Sequence, residues 1–108
     1  MYDGYNTDEE DKDLKKVGLE LMFLTPEKCS RPEGLSAVEL SKLLGISVEI
    51  VKKKLKILFE KEIVQVKGIN PKLWKFNEYN FQRMDEDDEV FRLLCSFDDV
   101  DFDRYFQY

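Results

Sequence analysis

The chain contains no histidine. With histidine go the commonest general base near neutral pH and a common zinc ligand. It has no glycine-rich phosphate loop and no nucleophile motif. Its longest apolar runs are only a few residues, which excludes a transmembrane helix. The opening MYDGYNTDEEDKD is acidic and lacks the apolar segment of a secretory signal. Cysteine is scarce: Cys29 and Cys95 stand far apart in sequence, and without an export signal they read as reduced thiols in a cytoplasmic protein. Carboxylates are plentiful, yet the run Asp85–Glu89, DEDDE, is consecutive. Neighbouring side chains on a helix point in different directions, so this run makes no metal cage. The expectation is a protein that is not an enzyme, with no catalytic or metal residues, no cofactor and no membrane.

What is present begins with size. The 108 residues suit one small domain with tails, and 43% hydrophobic with 13% aromatic content is enough for a core. Charge is unevenly spread over the total of −6. Residues 35–76 hold nine Lys and four Glu, a net of +5. Residues 1–34 carry −4 and residues 77–108 carry −7. Charge acts over roughly a Debye length, about 8–10 Å at physiological salt. The local excess therefore matters more for a partner than the global sign.

Periodicity predicts the elements. Residues 1–7 read as a disordered acidic N-terminus. Leu14, Val17, Leu21 and Leu24 recur at helical spacing, so an amphipathic helix starts among residues 8–13, capped by Thr7 or Asp8, and stops before Pro26. TPEKCSRPEG is a loop. Leu35 forms a short strand. Ser36 and Glu39 make a capping box for the next helix, and Gly45 ends it in a left-handed conformation. Ser47 caps a helix running to about Lys61, with Val48, Val51, Leu55 and Leu58 inward. Ile63–Val66 and Leu73–Phe76 are strands around the turn KGINPK. Asn77–Asn80 reads as a turn. Asp85 caps a helix over residues 86–97, with Val90, Leu93, Leu94 and Phe97 as its apolar stripe. The tail alternates acidic and aromatic residues. The core is expected to include Leu21, Leu40, Leu44, Ile46, Val51, Leu55, Leu58, Val64 and Trp74.

This order, and the residues Leu35, Ser36, Glu39, Leu40, Ser41, Leu44, Gly45, Ile46, Ser47, Val51, Leu55, Leu58, Ile63 and Val64, resemble prokaryotic winged helix-turn-helix transcriptional regulators. The match covers about thirty of the 108 residues. Two positions depart from it: Glu62 stands where that family often has Gly, and Phe59 replaces a polar residue. The resemblance implies a mainly α fold with a small β-hairpin, a winged helix with an additional C-terminal helix. Its domains would be 8–84, the winged helix-turn-helix, and 85–108, the C-terminal helix with its acidic-aromatic tail.

The function so implied is DNA binding and transcription regulation. The helix at about 47–61 would enter the major groove, with Ser47, Glu49, Ile50, Lys53 and Lys54 nearest the bases. Lys52 and Lys56 would meet phosphates, as would Lys67 and Lys72 of the wing, and Lys75 lies on the return strand. Residues 47–61 contain no Arg, Asn or Gln, the usual bidentate readers of base edges. The partners expected are double-stranded DNA and a second copy docking through the C-terminal helix. The alternative is a protein-interaction module using the acidic-aromatic tail or a face with Ile50 and Ile57. On that tail, residues 98–108 hold four Asp and one Arg, and they either compete with DNA for Lys52–Lys56 or pack through their aromatics.

Overall fold

A computed structural model describes residues 7–96, with side chains from residue 12 onward. Within them the chain is mainly helical, with five helices and one two-stranded antiparallel sheet. The order is α1 (Thr7–Leu24), α2 (Ala37–Leu44), α3 (Val48–Glu60), β1 (Val64–Lys67), β2 (Leu73–Phe76), α4 (Glu78–Gln82) and α5 (Glu89–Leu94). Thr7 belongs to α1 and is not part of a tail ahead of it. Phe97 and the acidic-aromatic tail lie outside the described residues.

α1 is the element on which the others assemble: α2, α3, α5 and β2 all pack on it. Sequence periodicity predicts a one-sided stripe there, but Val17, Gly18, Leu19, Glu20 and Leu21 are all buried, in every direction around the helix. Leu19 belongs to the core although it lies off the stripe. Thr25 then secures the helix end. Its hydroxyl donates to the Leu21 carbonyl at 2.6 Å and accepts from the Phe76 amide at 2.9 Å. The end of α1 is thereby tied to the last residue of β2.

Local chemistry sets the α2–α3 pair. Ser36 and Glu39 close a full capping box, with bonds of 3.0 and 3.1 Å. Arg31 reaches Glu39 at 2.6 Å and Glu33 at 2.7 Å, holding the preceding loop on the start of α2. Gly45 takes φ 69° and donates to the Ser41 carbonyl. The Ser41 hydroxyl also donates to the Ile46 carbonyl, so Ser41 fastens the turn. Ser47 caps α3. Leu40, Ile46, Val51, Leu55 and Leu58 fill the wedge between them, as their spacing predicts.

The hairpin register is Val64↔Phe76, Gln65↔Lys75, Val66↔Trp74 and Lys67↔Leu73. β1 therefore starts one residue later than β-branching alone suggests. Leu35 pairs with Trp74 on the outer edge of β2, its amide and carbonyl bonded at 2.9 and 2.7 Å. Leu21, Leu35, Leu40, Leu55, Leu58 and Ile63 are fully buried, while Leu44 and Trp74, expected in the core, are half-buried at its margin.

The region after the hairpin departs from expectation twice. Residues 78–82 form helix α4 where a turn is predicted, because the Asn77 side chain accepts from the Asn80 amide and starts a helical turn. Helix α5 begins at Glu89 and is capped by Asp88, not by Asp85. Asp85 spends its carboxylate on the Asp87 amide at 3.0 Å. Asp88 is the carboxylate that meets the Lys61 ammonium, at 2.8 Å. Phe76, Phe81 and Phe91 form a row, the first pair tilted at 5.2 Å and the second stacked at 4.9 Å, binding α4 and α5 to the hairpin. Among the described residues no helix is long and apolar enough to cross a membrane.

Candidate nucleic-acid interface

Helix α3 presents an outward face opposite Val51, Leu55 and Leu58. Glu49, Lys52, Lys53, Lys56 and Glu60 are exposed there. Three lysines against two glutamates leave a net of +1 on this face. The sequence suggests a stronger field, with five lysines between Lys52 and Lys61. Two of them are committed elsewhere.

Lys54 is one. Sequence reading puts it beside bases, but it is only 7% exposed and lies on the buried side of α3. Its position three residues after Val51 and four before Leu58 sets it in the inward stripe. No buried side-chain nitrogen or oxygen among the described residues lacks a hydrogen-bond partner, so Lys54 lays its stem along the core and keeps its ammonium at the water boundary. Lys54 therefore lies off the exposed face of α3. Lys61 is the other, held by Asp88. That ammonium, helped by the Val90 amide, keeps the Asp88 carboxyl below the usual carboxylate range against the opposing effect of burial.

Ser47, Glu49 and Ile50 stand at the start of α3 as expected. The Ser47 hydroxyl is already engaged by the Ile50 amide at 3.3 Å. Ile50 is 37% exposed, whereas Ile57 is half-buried and packs against the core. Ile50 and Ile57 therefore do not form one exposed apolar row.

The hairpin carries the remaining candidate lysines. Lys67 and Lys72 are exposed at its tip, and Ile69 between them is 81% exposed. The pleat separates its faces. Val64, Val66, Trp74 and Phe76 share one, and Gln65, Lys67, Leu73 and Lys75 share the other. Lys67 and Lys75 thus lie on the face turned from Trp74, along a shallow groove of about 350 Å³ bounded by Pro32 and Glu33.

The sequence marks Phe59 as an outer-face departure but not its pairing with Trp74. Phe59, 47% exposed, meets Trp74 edge-on with ring centroids 6.1 Å apart. Val66, the cross-strand partner of Trp74, is 36% exposed. Together they make an open apolar corner between α3 and the hairpin. Lys52, Lys56 and Phe59 fall at i, i+4 and i+7, so the two lysines run along the helix edge that ends in the corner. One signal was present, an aromatic at an outer helix position; the register was not, since the turn KGINPK closes as a five-residue tip, residues 68–72, with Lys67 paired to Leu73.

Among the described residues no cluster of His, Cys, Asp or Glu is placed to hold a metal ion. Cys29 and Cys95 are free thiols. Comparison with protein families, with curated proteins and with solved structures returned no match.

Proposed function

We propose that this is a winged helix-turn-helix protein that binds double-stranded DNA, with α3 as the recognition helix and the β1–β2 hairpin as the wing. The observation that carries the reading is the exposed row Lys52, Lys53 and Lys56 on α3, beside a hairpin whose tip adds Lys67 and Lys72. The supporting frame is the order helix, single-residue bridge, capped helix, glycine turn, capped helix, hairpin. The contact set is Ser47, Glu49, Ile50, Lys52, Lys53, Lys56, Lys67 and Lys72. Lysines without Arg, Asn or Gln favour phosphate contact over base reading. The role proposed is a cytoplasmic, non-enzymatic transcription regulator without a cofactor. A homodimer through α5 alone is disfavoured, because Val90 and Leu94 are already buried within the chain.

The test is a mobility-shift titration of duplex DNA at two salt concentrations. Affinity falls as salt rises, by a slope of about 0.9 per neutralised phosphate. Replacing Lys52, Lys53 and Lys56 together by Ala lowers affinity and removes up to about three units of that slope. Unchanged affinity and slope in the triple variant refute the reading.

A further inference from the structure

We infer that the corner of Phe59, Trp74 and Val66 takes the faces of unpaired bases, so that the protein prefers DNA with a locally opened strand over intact duplex. This deepens the DNA-binding reading and rests on it.

A duplex hides base faces in its stack and offers phosphates and groove edges. Neither needs a half-exposed phenylalanine. The outward face of α3 is also poor at reading edges, since residues 47–61 contain no Arg, Asn or Gln. A single strand has the opposite character: a string of phosphates beside exposed π-faces. Proteins that hold single strands combine a cationic track with aromatic platforms. Both parts are here, in register. Lys52 and Lys56 form the track along α3 and lead to Phe59. Phe59 is braced edge-on by Trp74 at 6.1 Å, which fixes the platform before any base arrives. Val66, the cross-strand partner of Trp74, extends the apolar floor from β1.

The experiment uses the full chain and three labelled oligonucleotides: a duplex, the same duplex with a central mismatched bubble, and a single strand of equal length. The bubble and the single strand bind about ten-fold more tightly than the duplex, the order expected for stacking one base. They also quench the fluorescence of Trp74, the single tryptophan. Phe59→Leu keeps apolar bulk but removes the ring, so it brings bubble affinity down to the duplex level and leaves duplex affinity within about two-fold. Phe59 lies at the surface, and an unchanged melting temperature for the variant assigns the loss to the site. Equal, salt-dependent binding of all three oligonucleotides overturns this inference and leaves the DNA-binding reading intact. No salt-dependent binding of any of them overturns both. A Phe59-dependent affinity for a peptide of residues 98–108, with no preference among the oligonucleotides, also overturns it and assigns the corner to an acidic protein segment.

Discussion

Glu62 and Gly45 occupy the same left-handed region of backbone space, at φ 63° and 69°, yet only one is a glycine. A Cβ in that region costs about 1–2 kcal/mol, while glycine adds about 0.5–1 kcal/mol of unfolded-chain entropy. The first term is larger. Glu62→Gly is therefore expected to stabilise the fold by about 0.5–1 kcal/mol. That raises the melting temperature by several degrees, at about 4–8 °C per kcal/mol for a domain of this size. Gly45→Ala meets no neighbour within 4 Å of the added Cβ, so its loss of about 1 kcal/mol comes from the backbone alone. Thermal melts of the two variants should move in opposite directions. Glu62 is tolerated because its carbonyl accepts from the Asn80 side chain at 2.8 Å and the Ile63 amide bonds back to Leu58. That the position needs a special residue was legible. The contact from Asn80 was not, since it comes from eighteen residues away. Lys54 failed for a different reason. A lysine within the run Lys52–Lys56 reads as surface, and only the phase of the helix distinguishes it.

Elements here are short, and their ends decide them. Ser36 with Glu39, Gly45 and Ser47 were readable because each cap acts within three or four residues of sequence. Asp85 to Asp88 was not, because four nearly equivalent residues offer the same cap and a long-range ion pair with Lys61 selects one. The α4 start and the Phe76–Phe81–Phe91 row depend on tertiary contact in the same way. Two of the caps also carry pH dependence. The Ser36 amide and then Arg31 hold Glu39 below the ordinary carboxylate range, and Lys61 does the same for Asp88. A carboxylate depressed in the folded state stabilises fully above its unfolded pKa, and that stability is lost as pH falls through the folded value. Urea melts should be flat near neutral pH and weaken below about pH 4. Asp88→Asn keeps the cap but should reduce the acid-dependent part. The α1–α5 contact is set by Gly18, where an added Cβ would lie 2.5 Å from the buried Leu94 side chain. Gly18→Val is expected to cost about 1–3 kcal/mol by overpacking, read as a lower urea midpoint.

At the scale of the whole molecule, a chain of net charge −6 carries its basic excess on residues 35–76, with exposed lysines on α3 and at the hairpin tip. The partition by segment was visible in the sequence, but its strength was not. Folding removes Lys54 to the inner side and neutralises Lys61, so the field at α3 comes from three lysines set among two glutamates. Thr25 governs how firmly the hairpin is held to α1. It joins residues fifty-one apart through one buried hydroxyl, bonded on both sides. The hairpin cannot lift from α1 without stranding that hydroxyl's acceptor role and the Phe76 amide in the interior, at about 1–3 kcal/mol. In deuterium oxide the amides of Phe76, Trp74 and Leu35 should therefore exchange together with those at the centre of α1, at the rate of global unfolding. Thr25→Val should release Phe76 to faster exchange while the α1 amides keep their protection. Equal protection of Phe76 in both proteins would contradict the coupling.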